Sequence, residues 1–525
     1  MQFSNLKIKT TFQDQLPADP IEQNTRRQIE HACYSFVYPK QTSNPQLIHT
    51  ETTFAKSLGF SDQDLTSLEF TKLMTGNLSL DSYKPFAMCY GGHQFGHWAG
   101  QLGDGRAINI AEIETENQQK WYLQLKGAGE TPYSRRADGL AVLRSSVREY
   151  ICSEAMFHLG VPTTRALTLA FSGDQVLRDV LYNGNQAYEK GAIVCRLSES
   201  FIRFGNFEIL SSRGDKATLK TLGDFTINNH YSHLGAPSKE TYLALFREIA
   251  QRTQQMIIHW QRVGFVHGVM NTDNMSILGQ TIDYGPYGWL EGYDPDWTPN
   301  TTDNQNRRYR FGQQGNIGLW NLLQLANALY PLIENPKPLE EILQEYNNSY
   351  DVDYRKMMGS KLGLKLSLDN DEVLISSLEH VLQLIETDMT IFFRSLSLVK
   401  KSGTPEECIP LIKEAFYDIN AFTTVIEDKW KAWFVIYLER LQIESQTDDD
   451  RLVFMNTINP KYVFRNYMAQ MATDLAEKED YSLINDFSKL FKKPYEEQPE
   501  FEKWFAKRPE WARHKIGCSQ LSCSS

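Results

Sequence analysis

Between Trp121 and Lys126 apolar and polar residues alternate. Trp121, Leu123 and Leu125 fall on one face and Tyr122, Gln124 and Lys126 on the other, which predicts a strand. The period then changes. Leu140, Leu143, Val147, Tyr150, Ile151, Ala155 and Leu159 recur at three- and four-residue steps, predicting a helix over Leu140–Leu159 that Gly160-Val161-Pro162 ends. A second strand is expected over Ala192–Leu197 and another helix over Lys239–Val263. From about Asn316 to Met471 the pattern is mostly helical, with a Lys/Ser/Gly/Pro break near Lys400–Pro405. Shorter helical signals lie near Pro20–Ala32 and Ser61–Leu73. Strands first and helices after predict an α+β chain, with a small strand-rich lobe followed by a larger helical one.

The totals narrow the function classes. At 525 residues the chain allows several domains or one large two-lobed body. A net charge of −11 argues against a nucleic-acid-coating surface, but not against a local nucleotide site. The seven cysteines are odd in number and mostly set in apolar sequence, which suits a reducing compartment. Cys518 and Cys523, near a polar end, are the exception, and an exposed thiol there could exchange; two uninvolved cysteines are the alternative. The first twenty residues lack a signal-peptide pattern and no stretch of about 20 residues is apolar enough to span a membrane, so a cytoplasmic setting is expected.

Glycines crowd together from Tyr90 to Arg106. Such a run lets backbone N–H groups approach phosphates, with Arg106 adding a cation; a set of tight hairpin turns explains it equally well. It is neither a Walker A motif nor a dinucleotide-binding fingerprint, because no Gly-Lys-Ser/Thr follows and the next element is a strand. His93 and His97 have i,i+4 spacing, but no Glu-rich helix surrounds them as a zinc site would need. Lys126 ends the strand and Glu149 lies in the next helix. Loop, strand lysine and helix glutamate in that order match the kinase arrangement; an exposed lysine and a solvent-facing glutamate are the bland alternative.

The sharpest cluster is His267 to Asn274 followed by Asp283-Tyr284-Gly285-Pro286. Met275–Leu278 and Thr281–Ile282 read as two short strands of a hairpin, so that Asp273, Asn274 and Asp283 converge. Asn274 and Asp283 offer hard oxygens to magnesium, and Asp273 a proton acceptor; ordinary turn chemistry is the competing reading. The order is similar to a kinase catalytic loop, except that Val269 stands where the usual acid would be and Asn274 is unusually close to Asp283. A true kinase and a non-catalytic nucleotide-binding scaffold are both readings of this order.

The block 90–106, Gln124–Gly129, Thr131–Gly139, His267–Asn274 and Asp283–Pro286 resemble the selenoprotein O (SelO, or YdiU) family over nearly the whole chain, with Cys523 at the place of a selenocysteine found in some members. The resemblance implies a protein-kinase-like two-lobed fold. Residues 1–80 would be an N-terminal extension, 81–200 the lobe with the Gly-rich loop, 201–480 the helical lobe with the catalytic and metal site, and 481–525 a tail. It implies AMP transfer from ATP to Ser, Thr or Tyr hydroxyls of proteins with Mg²⁺ or Mn²⁺, the ATP lying inverted relative to a kinase. Gly103, Gly105, Arg106, Lys126, Asp138, Gly139, Arg196, Arg203 and Asp283 would bind ATP; without the resemblance, Arg196 and Arg203 would be read as surface arginines. Glu149 would pair with Lys126, Asp273 would accept the proton, and Asn274 and Asp283 would hold the metal. The expected partners are protein substrates and ATP, with no nucleic acid and no membrane, and the chain is taken as a monomer. The expected location is a bacterial-type cytoplasm, or a mitochondrion in a eukaryotic member.

Overall fold

The computed structural model describes residues 3, 5–179, 184–515, 517–518 and 521–522. Its strands are β1 (Lys7–Lys9), β2 (Tyr34–Phe36), β3 (Gln46–Thr50), β4 (Phe86–Met88), β5 (Gly91–Gln94), β6 (His97–Gln101), β7 (Ala107–Glu114), β8 (Lys120–Lys126), β9 (Arg165–Asp179), β10 (Gln186–Ser198), β11 (Phe265–Val266) and β12 (Gly288–Trp289). Eight of them form one antiparallel sheet in the order β2-β4-β7-β8-β10-β9-β3, with β1 also paired to β7. β5 and β6 make a separate hairpin, and β11 pairs with β12.

Both faces of this sheet are covered, which is why β7 is almost continuously buried. Leu123, Leu125, Ile108 and Ile193 face a core completed by Ile29, Val37, Leu58, Phe60, Phe70 and Leu73. Residues 1–80, which the sequence reading set apart as an extension, therefore supply three strands and the cover for one face. Tyr122 and Val194 face the opposite way, onto the Leu143–His158 helix and the helical half of the chain. A further core lies among the helices from Asp371 to Ile458.

The long helices follow the apolar periods. Lys239–Val263 begins where Ser238 Oγ accepts the Thr241 N–H, and ends at Gly264, whose φ of 76° suits a residue without Cβ. The break near Lys400–Pro405 is a turn capped by Thr404 and Glu407. Three expectations need correction. The helix expected from Leu140 starts at Leu143, because Leu140 and Val142 bridge to Ala128 and Gly191. The segment near Pro20–Ala32 is not helical: it wraps around Arg27, which donates to Asp19 (3.0 Å) and to the carbonyls of Ile21, Gln23 and Thr25. The expected strands 275–278 and 281–282 are reduced to single bridges, Met275 to Thr281 and Ser276 to Arg203.

Phe70 is fully buried against Phe60, with ring centroids 5.1 Å apart. Phe70→Ala is expected to lower stability by about 3–5 kcal/mol, read as an earlier denaturation midpoint. An unchanged midpoint would show that the 1–80 layer is not part of the folded core.

Candidate active site

Antiparallel register decides which side chains meet. Gln124 on β8 lies opposite Asn109 on β7 and Arg196 on β10, and Lys126 is two residues further along the same face. That face meets the Leu143–His158 helix, which brings in the buried Glu149. Lys126 Nζ lies 2.6 Å from Glu149 Oε2 and 3.4 Å from Asp283 Oδ1. Arg196 Nε donates to Gln124 (2.8 Å), and its Nη1 donates to Glu149 (3.2 Å) and to Asp283. Arg203, at the start of the Phe204–Ser212 helix, donates from Nη1 both to Asp283 and to the Asp273 carbonyl (2.8 Å). One nitrogen thus ties the 273–274 turn to Asp283. Asp273 and Asp283 thus meet through Arg203, although the hairpin expected to bring them together is not formed; Asn274 bonds instead to Val269.

Charge and burial oppose each other here. Burial alone raises the Asp283 carboxyl, but Arg196, Arg203 and Lys126 outweigh it and hold it well below the usual carboxylate range. Burial lowers Lys126 against the pull of Glu149 and Asp283. Asp273 behaves differently: burial pushes it up to about 7, with Arg203 only partly opposing. Its Oδ2 accepts from Gln94 Nε2 (3.2 Å), while its Oδ1 is buried without a partner. Arg203 Nε is likewise buried and unpartnered.

The loop carrying these acids is braced from several sides. His267 is buried against the Trp260 ring, and its Nε2 meets the Ile282 carbonyl at 3.0 Å. Asn274 Nδ2 donates to the Val269 carbonyl (2.9 Å), which leaves its Oδ1 available to a cation. Asn300 Nδ2 donates to the Gly268 carbonyl (3.0 Å), and the N–H of the adjoining Thr301 donates to the Leu521 carbonyl (2.8 Å). Asp283 has a φ of 62°, a left-handed conformation that is uncommon without glycine.

The glycine run divides into two parts. Its first part is the β5–β6 hairpin, turned at Phe95 and Gly96, both with positive φ. The hairpin is fastened to the catalytic loop: His93 N–H donates to Thr272 Oγ1 (2.7 Å), and Phe95 N–H to Tyr309 Oη (2.9 Å) and Asn271 Oδ1 (3.2 Å). A Cβ on Gly92 would sit 2.8 Å from Asp273 Oδ1, so only glycine lets the strand lie this close. His93 and His97 lie on opposite strands of this hairpin, and His93 Nδ1 meets Glu208 at 2.5 Å. Among the described residues no group of three His, Cys, Asp or Glu side chains is arranged for a metal.

The second part, Gly103-Asp104-Gly105-Arg106, turns into β7. Thr131 Oγ1 donates to the Asp104 carbonyl (2.8 Å) and Ser134 Oγ to the Gly105 carbonyl. The half-buried Arg106 adjoins Lys126 through the β7–β8 ladder. Asp138 and Gly139 stand apart from the charged cluster. Asp138 accepts a two-toothed fork from Arg178 (2.8 and 2.9 Å), and Gly139 packs on Gly129, its carbonyl accepting the Gly129 N–H at 3.0 Å. Cys518 is 3% exposed and burial raises its thiol to about 11, so the exposure expected of it is absent; Cys523 lies outside the described residues. Sequence reasoning passed over Asp104, Gln124 and Gln94. The buried Asp104 approaches Arg203 at 3.6 Å, and an acid between two glycines was its visible signal.

Residues 21–492 match the family described as "Protein adenylyltransferase SelO". Three bacterial relatives, each called "Protein nucleotidyltransferase YdiU", are similar over 99% of this chain. That of Flavobacterium johnsoniae is 58% identical and covered throughout; that of Rhodopirellula baltica is 51% identical with 99% covered; that of Aromatoleum aromaticum is 50% identical and covered throughout. The chain belongs to the SelO family of protein adenylyltransferases.

Proposed function

We propose that the chain transfers AMP from ATP to Ser, Thr or Tyr hydroxyls of other proteins, with the cluster around Asp283 holding the triphosphate and Asp273 taking the proton. The observation that carries this reading is three buried cations, Lys126, Arg196 and Arg203, on one carboxylate beside an acid poised near neutrality. Guanidinium and ammonium donors aimed at one point in a water-poor site suit the charge of a triphosphate in transfer. The unpartnered Arg203 Nε is a donor left over for it, and Arg106 a further cation. Gly103, Gly105, Asp138 and Gly139 complete the ATP site in this reading, shaping its backbone walls.

Asn274 and Asp283 are a hard-oxygen pair that fits Mg²⁺ or Mn²⁺, which take their remaining ligands from phosphate and water. Such an ion, when bound, would neutralise phosphate charge. The acceptor oxygen forms a bond to the α-phosphorus, the bond from that phosphorus to the bridging oxygen breaks, pyrophosphate leaves, and Asp273 Oδ1 takes the hydroxyl proton. Glu149 fixes Lys126. The Lys126–Glu149 pair and the hairpin near the catalytic loop also support a protein-kinase-like body of two lobes, 81–200 and 201–480, with 481–525 a tail. No helix among the described residues is long and apolar enough to cross a membrane, and the relatives named are bacterial; a cytoplasmic monomer is the setting we propose.

ATP labelled at the α-phosphate should mark protein, and ATP labelled at the γ-phosphate should not; the reverse pattern would make the chain a kinase. Asp283→Asn should abolish labelling and metal-dependent ATP binding. It should also cost about 3–5 kcal/mol, because two buried arginines lose their counter-charge, so folding is checked first by circular dichroism. Normal labelling by the folded variant would refute the metal assignment. Asp273→Asn should slow transfer roughly 10²–10⁴-fold, and the parent's activity should rise with pH through about 7. Because the folded Asp273 carboxyl is raised from 3.8, the stability it contributes is present below 3.8 and lost as pH rises to about 7. The melting temperature of Asp273→Asn relative to the parent should therefore climb across that window, and a flat difference would contradict the buried carboxyl. Gly92→Ala, which drives a methyl into Asp273, should reduce turnover at least tenfold on the order expected for a misplaced catalytic group; unchanged turnover would show that the hairpin does not set the base.

A further inference from the structure

Arg196 and Arg203 each meet a carboxylate, but Arg308 does not. The carboxylate best placed to pair with it, Asp303, spends both oxygens on backbone, accepting the N–H of Arg308 (3.0 Å) and of Tyr309 (2.7 Å). Among the described residues Arg308 makes no ion pair, and its Nε and Nη2 are buried without an acceptor. The guanidinium lies on the Trp320 ring, 4.6 Å from its centroid. Gly96, at the hairpin turn, packs against the other side: a Cβ there would stand 3.4 Å from Arg308 Cζ. The side chain is thus locked in place and partly stripped of water, with only the backbone-bound Asp303 as a nearby counter-charge among the described residues and no carboxylate in contact with it. An unpaired buried N–H is costly, and a half-desolvated cation attracts an incoming carboxylate more strongly than a solvated one.

Its location gives the missing anion a source. The hairpin tip that holds Arg308 is the tip that reaches Asp273: Gln94 contacts the carboxylate of Asp273, and Gly96, two residues on, contacts Arg308. Tyr309, the residue after Arg308, donates from its Oη to Asn271 Oδ1 (2.7 Å), two residues before Asp273, so Arg308 is tied to the same loop. Beside it the His93 ring lies between Trp98 (5.1 Å) and Trp320 (5.5 Å), and Trp98 is 40% exposed, giving a shallow aromatic floor open to a chain laid across it. A protein segment with its hydroxyl at Asp273 therefore has Arg308 beside it, at the same hairpin tip.

We propose that Arg308 selects acceptor segments that carry Asp or Glu within three residues of the hydroxyl receiving AMP. This rests on the adenylyl-transfer reading above. The incoming carboxylate meets Nη1, the guanidinium nitrogen that is not sealed, and the Trp320 face keeps the cation from turning away.

The test uses the full chain, its Arg308→Ala, Arg308→Lys and Arg308→Glu variants, and Ser peptides with Asp, Ala or Lys at each of the three positions on either side of the serine. Transfer is read from α-labelled ATP, and peptide affinity without ATP from fluorescence anisotropy. The parent should favour Asp at one or more of these positions by roughly tenfold or more, as loss of a charge-assisted hydrogen bond implies. Arg308→Ala should erase that preference, Arg308→Lys should retain part of it, and Arg308→Glu should turn it toward Lys, all with the KM for ATP within about twofold of the parent. A parent with no acidic preference, or an Arg308→Ala that keeps it, overturns the proposal. If no peptide is labelled, adenylyl transfer to such segments fails, while anisotropy still judges Arg308: equal binding of Asp and Ala peptides by the parent refutes its role.

Discussion

One carboxylate shared by three buried cations is the constraint on which the site depends. Lys126, Arg196 and Arg203 arrive from β8, β10 and the start of a helix, and without Asp283 their like charges would be packed together out of water. Asp283 itself stands in a left-handed conformation that costs roughly 1–2 kcal/mol. The three ion pairs offset that cost and hold the loop where Asp273 and Asn274 adjoin it. Glu149 balances a second charge from the helix side. Strand, helix and catalytic loop are coupled through these few atoms, so a change in any one is felt by the others.

Such a cluster needs a stiff support, and the sheet supplies it. Its central strands are buried on both faces, so Gln124, Lys126 and Arg196 cannot relax outward. The side chains facing away from the site are as necessary as those facing it, because Phe60, Phe70 and Leu73 close the opposite face. Glycine matters in a particular place: Gly92 permits a backbone to lie against Asp273, and a different residue would shift that carboxylate before it changed the fold.

Much of this was legible in the chain. Alternation over Trp121–Lys126 put the lysine on the correct face, and the apolar period from Leu143 set Glu149 on a helix opposite it. Long helices were readable because their periods run for many turns and their caps are ordinary. What was hidden depends on partners distant in sequence. The segment 20–32 has helix-compatible residues, but Arg27 collects four local acceptors and leaves no helix. The role of residues 1–80 lay in pairing with strands that follow much later, which no local pattern announces. Asp104 reads as a turn acid until Arg203, nearly a hundred residues on, is seen beside it.

The brace through Asn300 has a consequence for the order in which a growing chain acquires its parts. Leu521, whose carbonyl holds Thr301, is synthesised roughly 250 residues after Gly268, the residue that Asn300 grips. At about 5–20 residues per second, that is a delay on the order of 10–50 s. For most of it the sheet, the arginines and the acids have already been made, while the outer support of the loop has not. The outer support of the 268–274 loop therefore closes only after Leu521 has been added, long after the residues it steadies.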